Sequence, residues 1–271
     1  MSARRLAVVT GASSGIGESL ARTLASQGYD LWLIARSTAK LERLAKEVAD
    51  DRAIRVRVRT CDLADPQARL ELTRELADES VSVLCANAGF PTCGPLSAND
   101  PATEAAEVQV NVVALHDVVH AVLPGMLARR AGRILITGST AGCQPVPTAA
   151  TYAATKAFAN TFAESLHAEL RGTGVTCTLL APGPVRTNFY EVGGIPHLQR
   201  QKILAWLSPD HVAESGLRSM ARGRRLSVPG PVAKAQYVAG RLTPRVVLFP
   251  LLRGVFLPRL RGARAAATPS N

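Results

Sequence analysis

Tyr152 and Lys156 stand four residues apart in the stretch Thr151-Tyr-Ala-Ala-Thr-Lys-Ala157. The Ala-rich run that continues to Leu170 predicts a helix, and helical spacing puts both side chains on one face. A phenol titrates at about 10, too high for acid–base work at neutral pH. An ammonium group beside it favours the phenolate and lowers that value. So paired, Tyr152 can hand a proton to a carbonyl oxygen or take one from an alcohol. Tyr-x-x-x-Lys also arises by chance on ordinary helix faces, so its chemistry needs support from elsewhere in the chain.

A second chemical motif lies near the N-terminus. Leu6–Thr10 is a short apolar run that reads as a buried strand. Gly11-Ala-Ser-Ser-Gly-Ile-Gly17 follows it, and Ile16 to Gln27 reads as a helix. In a strand–turn–helix context glycines let the backbone approach a pyrophosphate, and the helix N-terminus supplies free N–H groups. The spacing is T-G-x-x-x-G-x-G, and a plain tight turn is the alternative. Asp30–Ala35 reads as a second buried strand, with Arg36 just past its end. A ribose-binding acid is expected there in an NAD enzyme. Ala35, Arg36 and Ser37 include no carboxylate, and an arginine can pair with a 2′-phosphate. This favours NADP(H) over NAD(H); a merely solvated Arg36 is the alternative.

The elements that must position these residues alternate along the chain. Helices are predicted over Thr38–Asp50, Pro66–Ala77, Thr103–Arg130, Ala149–Arg171, Gln199–Leu207 and Pro209–Met220. Strands are predicted over Ile54–Arg59, Val81–Ala86, Arg133–Thr137, Val175–Leu180 and Leu226–Pro229. The alternation of arginine with apolar residues in Ile54–Arg59 suits an edge strand. Phe90–Pro101 is rich in Pro and Gly and reads as loop. The expected fold is α/β: a Rossmann-type, doubly wound parallel sheet of about seven strands with helices on both faces. Ligands bind such sheets beyond the carboxyl ends of the strands, where the motifs fall.

In this order the motifs resemble those of the short-chain dehydrogenases/reductases, over roughly Arg5 to Thr187. They are Thr10-Gly11-x-x-x-Gly15-x-Gly17, Asp62-Leu63, Asn87-Ala88-Gly89, Asn111, Ser139, Tyr152-x-x-x-Lys156 and Pro182-Gly183, with Ser139 lying 13 residues before Tyr152. The resemblance implies that Tyr152 is the general acid/base and that Lys156 lowers its pKa and binds the nicotinamide ribose. It implies that Ser139 hydrogen-bonds the substrate oxygen and that Asn111 helps hold a relay water. The cofactor-binding candidates are Thr10, Gly11, Ser13, Ser14, Gly15, Ile16 and Gly17 in the turn, then Arg36, Asp62, Leu63, Asn87, Ala88 and Gly89. Tyr152, Lys156, Pro182, Gly183, Val185 and Thr187 complete them. Ser139, Cys143, Gln144, Tyr152 and Phe189, the last in a lid-like Asn188–Pro196 loop, are candidates for the substrate pocket; simple loop filling is the alternative for Cys143 and Gln144. The implied activity is NADP(H)-dependent reduction of a carbonyl or oxidation of an alcohol, by a homodimer or homotetramer; the apolar tail and the low polarity of the lid region point to a lipophilic ketone, aldehyde or acyl substrate. The rival readings are an NADP(H) sensor without turnover and a membrane-attached scaffold.

Composition narrows the rest. A 271-residue chain with a 47% hydrophobic fraction can build one large core. Residues 1–230 are expected to form the catalytic domain and 231–271 a basic, apolar C-terminal extension. Cys61, Cys85, Cys93, Cys143 and Cys177 are dispersed and odd in number, which fits neither a disulfide framework nor a zinc site. His116 and His120 sit at helical spacing but lack a third ligand, and no metal is expected. Neither a signal peptide nor a run of about 18 apolar residues is seen, so a cytoplasmic protein is expected. The net charge of +11 resides wholly after Glu214, the last acidic residue: Ser215–Asn271 holds 11 basic residues. The body is neutral, so no nucleic-acid partner is expected. The tail, with Val246–Leu252 and Gly254–Leu260 broken by Pro250 and Pro258, is a candidate for peripheral attachment to an anionic membrane surface. The alternative is a tail packed on the lid or on a partner subunit.

Overall fold

Leu6–Thr10 (β1) is the strand about which the chain changes direction. In a computed structural model, describing residues 5–50, 53–187, 206–250 and 252, β1 lies between Asp30–Ala35 (β2) and Val81–Ala86 (β4). Val56–Thr60 (β3) closes one edge. Gly132–Thr137 (β5), Val175–Leu180 (β6) and Leu226–Ser227 (β7) extend the other, giving the order β3-β2-β1-β4-β5-β6-β7 with all neighbours parallel. The expected seven-stranded, doubly wound sheet is therefore the fold found. The Asn188–Pro196 loop, Phe189 within it, most of the Gln199–Leu207 segment and the chain from 253 onward lie outside the described residues; at the end of that segment Leu207 is not helical as expected but bridges to Val185.

Two apolar layers hold helices to the sheet. On one face Leu20 and Leu24 of Gly15–Ser26 (α1) pack with Leu41, Leu44 and Val48 of Thr38–Asp50 (α2) and with Val212, Leu217 and Met220 of a later helix. On the other, Leu72 and Leu76 of Pro66–Ala77 (α3) pack with Val118, Val122 and Met126 of the long central helix and with Ala159, Ala163 and Leu166 of the helix that carries Tyr152. β2 is buried along its whole length, and its Asp30 is met by the backbone N–H and Nε of Arg55 at 2.9 and 3.0 Å. β3 is the expected edge strand. Its Arg57 pairs with Glu79 and its Arg59 with Glu75, so charge lines the free edge and discourages further strand pairing.

Helix starts follow local chemistry. Asp65 caps α3 by accepting from Gln67 N–H at 2.9 Å, ahead of Pro66. Asp100 caps Pro101–Val108 (α4) through Thr103 N–H at 2.9 Å. A Ser208–Pro209 pair likewise opens a later helix, Ser208 Oγ accepting from His211 N–H at 3.2 Å. An acceptor followed by proline satisfies an orphan amide and removes another.

The central helix is not regular. α4 passes into a widened π turn, Gln109–Ala114, before Leu115–Ala128 (α5) resumes. The whole, Pro101–Ala128, is long and apolar enough by length and composition to cross a bilayer, although no unbroken apolar run signals it in the sequence. Here it is a core helix, with Ala114, Leu115, Val118 and Val122 against the sheet. Arg69 fixes it from below. Buried, this guanidinium donates to Asp117 Oδ2 at 2.8 Å, Leu63 O at 2.8 Å and Gln109 Oε1 at 3.0 Å. One side chain thus ties α3, the loop after β3 and the π turn.

The remaining helices are Ala150–Glu169 (α6), Pro209–Ala221 (α7) and Pro231–Leu242 (α8). α8 begins at the expected catalytic-domain boundary and packs on the loop after β5. A Cβ at Gly240 would stand 3.0 Å from Cys143 Cβ. Tyr237 Oη donates to Glu164 Oε1 at 3.1 Å, and Arg241 and Arg225 pair with the same carboxylate.

Replacing Arg69 by Leu leaves a carboxylate and two carbonyl oxygens without their donor. We expect a loss of about 3 kcal/mol of folding stability in urea unfolding. A loss below about 1 kcal/mol would show that these contacts add nothing beyond packing.

Candidate active site

The site is assembled where strands end. Thr10 Oγ1, at the tip of β1, accepts from the backbone N–H groups of Asn87 and Ala88, both at 3.0 Å. Asn87 Nδ2 donates to Thr10 O at 3.2 Å, and Thr137 Oγ1 at the end of β5 donates to Asn87 Oδ1 at 3.1 Å. Three strand ends are thereby locked together. Gly11 adopts φ +67°, and a Cβ there would lie 2.9 Å from Ala88 Cα. At Gly17 a Cβ would lie 2.1 Å from Gly11 O, so the turn can fold back only on glycine.

A cleft of about 1120 Å³ runs across these ends. Arg36, Lys40, Asp62 and Leu63 line one end. Gly11, Ser13, Ser14, Gly15 and Ile16 line its middle, at the N-terminus of α1, with Asn87, Ala88 and Gly89 opposite. Ser139, Gln144, Tyr152, Lys156, Pro182, Gly183, Val185 and Thr187 line the rest. Of the residues expected to form the site, Thr10, Gly17, Asn111 and Cys143 are not in the wall. Thr10 and Gly17 shape the turn from behind. Cys143 ends a short 3₁₀ turn, Thr140–Cys143, that aims it at α8, and its Sγ receives Asn160 Nδ2 at 3.7 Å. Phe189 lies outside the described residues.

Tyr152 and Lys156 do share a face of α6, with Nζ 5.9 Å from the phenol ring centroid. Lys156 is buried and donates to Thr137 O at 3.0 Å. Loss of water around the ammonium pulls its pKa down from 10.5 to about 8, against the opposing pull of Glu107. Gly89 sits between Lys156 and Asn111: a Cβ there would be 2.9 Å from Asn111 Oδ1 and 3.4 Å from Nζ. Asn111, inside the π turn, is committed to its neighbours. Its Oδ1 accepts from Phe90 N–H at 3.1 Å, and its Nδ2 donates to Phe90 O at 2.9 Å and Thr155 Oγ1 at 3.1 Å.

Four further residues complete the arrangement. Asn160 clamps the backbone of Ser139, accepting from its N–H at 3.2 Å and donating to its carbonyl at 2.9 Å. Asn160 falls four residues after Lys156, so a polar residue repeating along the Tyr152 face was a legible signal. Thr155 Oγ1 donates to Tyr152 O at 2.9 Å. Gln236 reaches the cleft from α8, within the stretch expected to be a C-terminal extension. Glu107, four residues before Asn111, is 0% exposed. It accepts from Thr92 N–H at 2.8 Å, Thr92 Oγ1 at 2.5 Å and Asn111 Nδ2 at 3.3 Å. Burial lifts its carboxyl from 4.5 to about 7 despite the Thr92 bonds.

A family model described as short chain dehydrogenase matches residues 5–192. A very-long-chain 3-oxoacyl-CoA reductase of Laccaria bicolor is 39% identical over 174 residues, which are 63% of this chain and 52% of that protein. The match thus spans about half the length of that relative. Among solved structures, a short-chain dehydrogenase from Sphingobium yanoikuyae in complex with NADPH superposes with a TM-score of 0.80 at 26% identity, covering 87% of this chain and 92% of that one. A short-chain dehydrogenase/reductase from Burkholderia phymatum in complex with NAD gives 0.78 at 25% identity, with the same coverage of 87% and 92%.

The Glu107 shift has a definite sign in stability. Because its folded pKa is raised, the fold favours the neutral acid, and stability declines as pH rises from 4.5 to about 7. Glu107→Gln abolishes that decline. The variant should gain on the wild type across this window by up to about 3 kcal/mol, at about 1.4 kcal/mol per unit. Urea unfolding at pH 5 and pH 8 checks it, and a pH-independent difference would refute the shift.

Proposed function

The chain belongs to the short-chain dehydrogenase family, and on that premise we propose that it is an NADP(H)-dependent reductase interconverting a carbonyl and an alcohol. The observation that carries this reading is one continuous cleft with Arg36 at one end and Ser139, Tyr152 and Lys156 at the other. Its shape and donors fit a dinucleotide: a helix N-terminus and glycine backbone in the middle, a guanidinium at the far end. When bound, the nicotinamide supplies or takes the hydride.

The protein's own residues would do the rest. Arg36 would pair with a 2′-phosphate, with no carboxylate at Ala35 or Ser37 to repel it. Asp62 and Leu63 would hold the adenine, and Asn87 to Gly89 the middle of the cofactor. Pro182, Gly183, Val185 and Thr187 would border the nicotinamide. Ser139 would hydrogen-bond the substrate oxygen while Tyr152 delivers the proton. The Lys156 charge, desolvated and close to the ring, would favour the phenolate that results. Asn111 would serve the relay by fixing the loop that keeps Gly89 beside Lys156.

The substrate end suggests a lipophilic ketone, aldehyde or acyl group. Phe90, Pro91, Cys93, Pro95, Val110 and Val146 line it, and Lys156 is the charged side chain there among the described residues. A relative named for 3-oxoacyl-CoA reduction accords with that class. We take the protein to act in the cytoplasm, in keeping with cysteines that are all free. A homodimer or homotetramer would use α5 and α6, where Phe158 stacks on Phe162 at 5.6 Å and His116 on His120 at 5.8 Å.

NADPH oxidation over a panel of lipophilic ketones, aldehydes and 3-oxoacyl thioesters tests the proposal. Tyr152→Phe should lower kcat by about 10²–10⁴ with cofactor binding retained. No turnover on any substrate, with tight cofactor binding, would favour a sensor instead. Arg36→Ala should raise KM for NADPH about 10–100-fold and leave that for NADH nearly unchanged. Equal effects on both would remove the NADP(H) preference.

A further inference from the structure

Helix α8 carries apolar side chains on both of its faces. Ala233, Tyr237 and Gly240 are buried against the body, and Gln236 lines the cleft. The opposite face, which on a solvated helix would be polar, is formed by Val232, Val238 and Leu242, the last 75% exposed. The chain turns at Thr243-Pro244, and residues 245–250 are helical again. There Leu248 is buried while Val246, Val247 and Phe249 stand out, Val246 at 79% exposure. Six large apolar side chains are thus exposed within residues 232–249, a concentration that marks an interaction site. Lys234 and Arg245 are exposed along the same segment, while Arg241 is paired with Glu164 on the inner side.

The charge decides among occupants. Lys234 and Arg245 border the exposed apolar side chains, and no acidic residue follows Glu214 in the sequence to offset them. A second copy docked across a twofold axis would bring this cationic rim against itself. An anionic lipid surface complements it: apolar side chains enter the headgroup boundary, and the cations meet the phosphates. We propose that the outer face of α8 and residues 245–250 form a docking surface for an anionic bilayer, placing one wall of the cleft at the membrane. The inference rests on this surface and not on the reaction, so either can fail without the other.

The test is flotation of the full chain with phosphatidylcholine vesicles and with vesicles in which phosphatidylglycerol replaces part of that lipid. Flotation with the anionic vesicles alone, weakening as salt rises, is expected. Val238→Asp and Val246→Asp should abolish it, with unchanged thermal unfolding as the control for folding. Lys234→Glu and Arg245→Glu, which leave the apolar face intact, should each weaken binding by about fivefold or more. Absence of flotation, or flotation indifferent to all four substitutions, would overturn the proposal. So would a shift in oligomeric mass in the Asp variants with flotation unchanged, which would give the face to a second copy.

Discussion

An ammonium group held out of water is the constraint on which this structure depends. Lys156 lies under the sheet's carboxyl edge and donates to the Thr137 carbonyl at 3.0 Å. Desolvation opposes its charge, and the surroundings offset part of that cost through Glu107. The neighbourhood is shaped to let it in. Gly142 has no side chain because a Cβ would stand 2.4 Å from the Lys156 carbonyl carbon. Gly89 has none because one would press toward Nζ and Asn111 at once. The widened turn at Gln109–Ala114 brings Asn111 to Phe90 and Thr155, so the central helix is bent to the site's needs and departs from ideal geometry where π bulges commonly serve function.

Much of this was legible beforehand, for reasons that can be named. Strands with continuous apolar runs, such as Val81–Ala86 and Val175–Leu180, were placed to the residue because a doubly covered parallel sheet leaves no other use for such runs. α3 was equally clear from proline at its first position. What escaped was whatever depends on a long-range partner. The π turn has no sequence signature, since its extra residue is stabilised by Phe90 and Arg69 across space. Glu107 reads as an ordinary helical glutamate until Thr92 closes over it. Cys143, two residues from wall-lining Ala141, faces Gly240 of α8 and not the cleft.

α8 was misleading for a different reason. Its composition signals a tail, and its outer face agrees with that. Its inner face does not: Tyr237 and Arg241 reach Glu164 of α6, joined there by Arg225 from just before β7. Basic residues counted along a sequence look alike, yet Arg241 here spends part of its charge inside the protein while Lys234 does not. Periodicity within one helix separates the two roles, and overall charge cannot.

The Thr10 hydroxyl carries a further consequence, for the order in which the protein can fold. It joins residues 77 and 78 positions apart, and every neighbouring strand pair is parallel and so needs a crossover. The glycine turn can form with β1 and α1 alone, but its opposite wall arrives only when β4 docks. The clamp on Ser139 waits longer still, for α6. Chain closure over such separations precedes the contacts that reward it, which makes folding slow compared with helical proteins of similar size. A nascent chain therefore exposes apolar β1 and β2 well before it possesses a cleft, and a ligand that spans the finished cleft would draw the last closure steps forward by mass action.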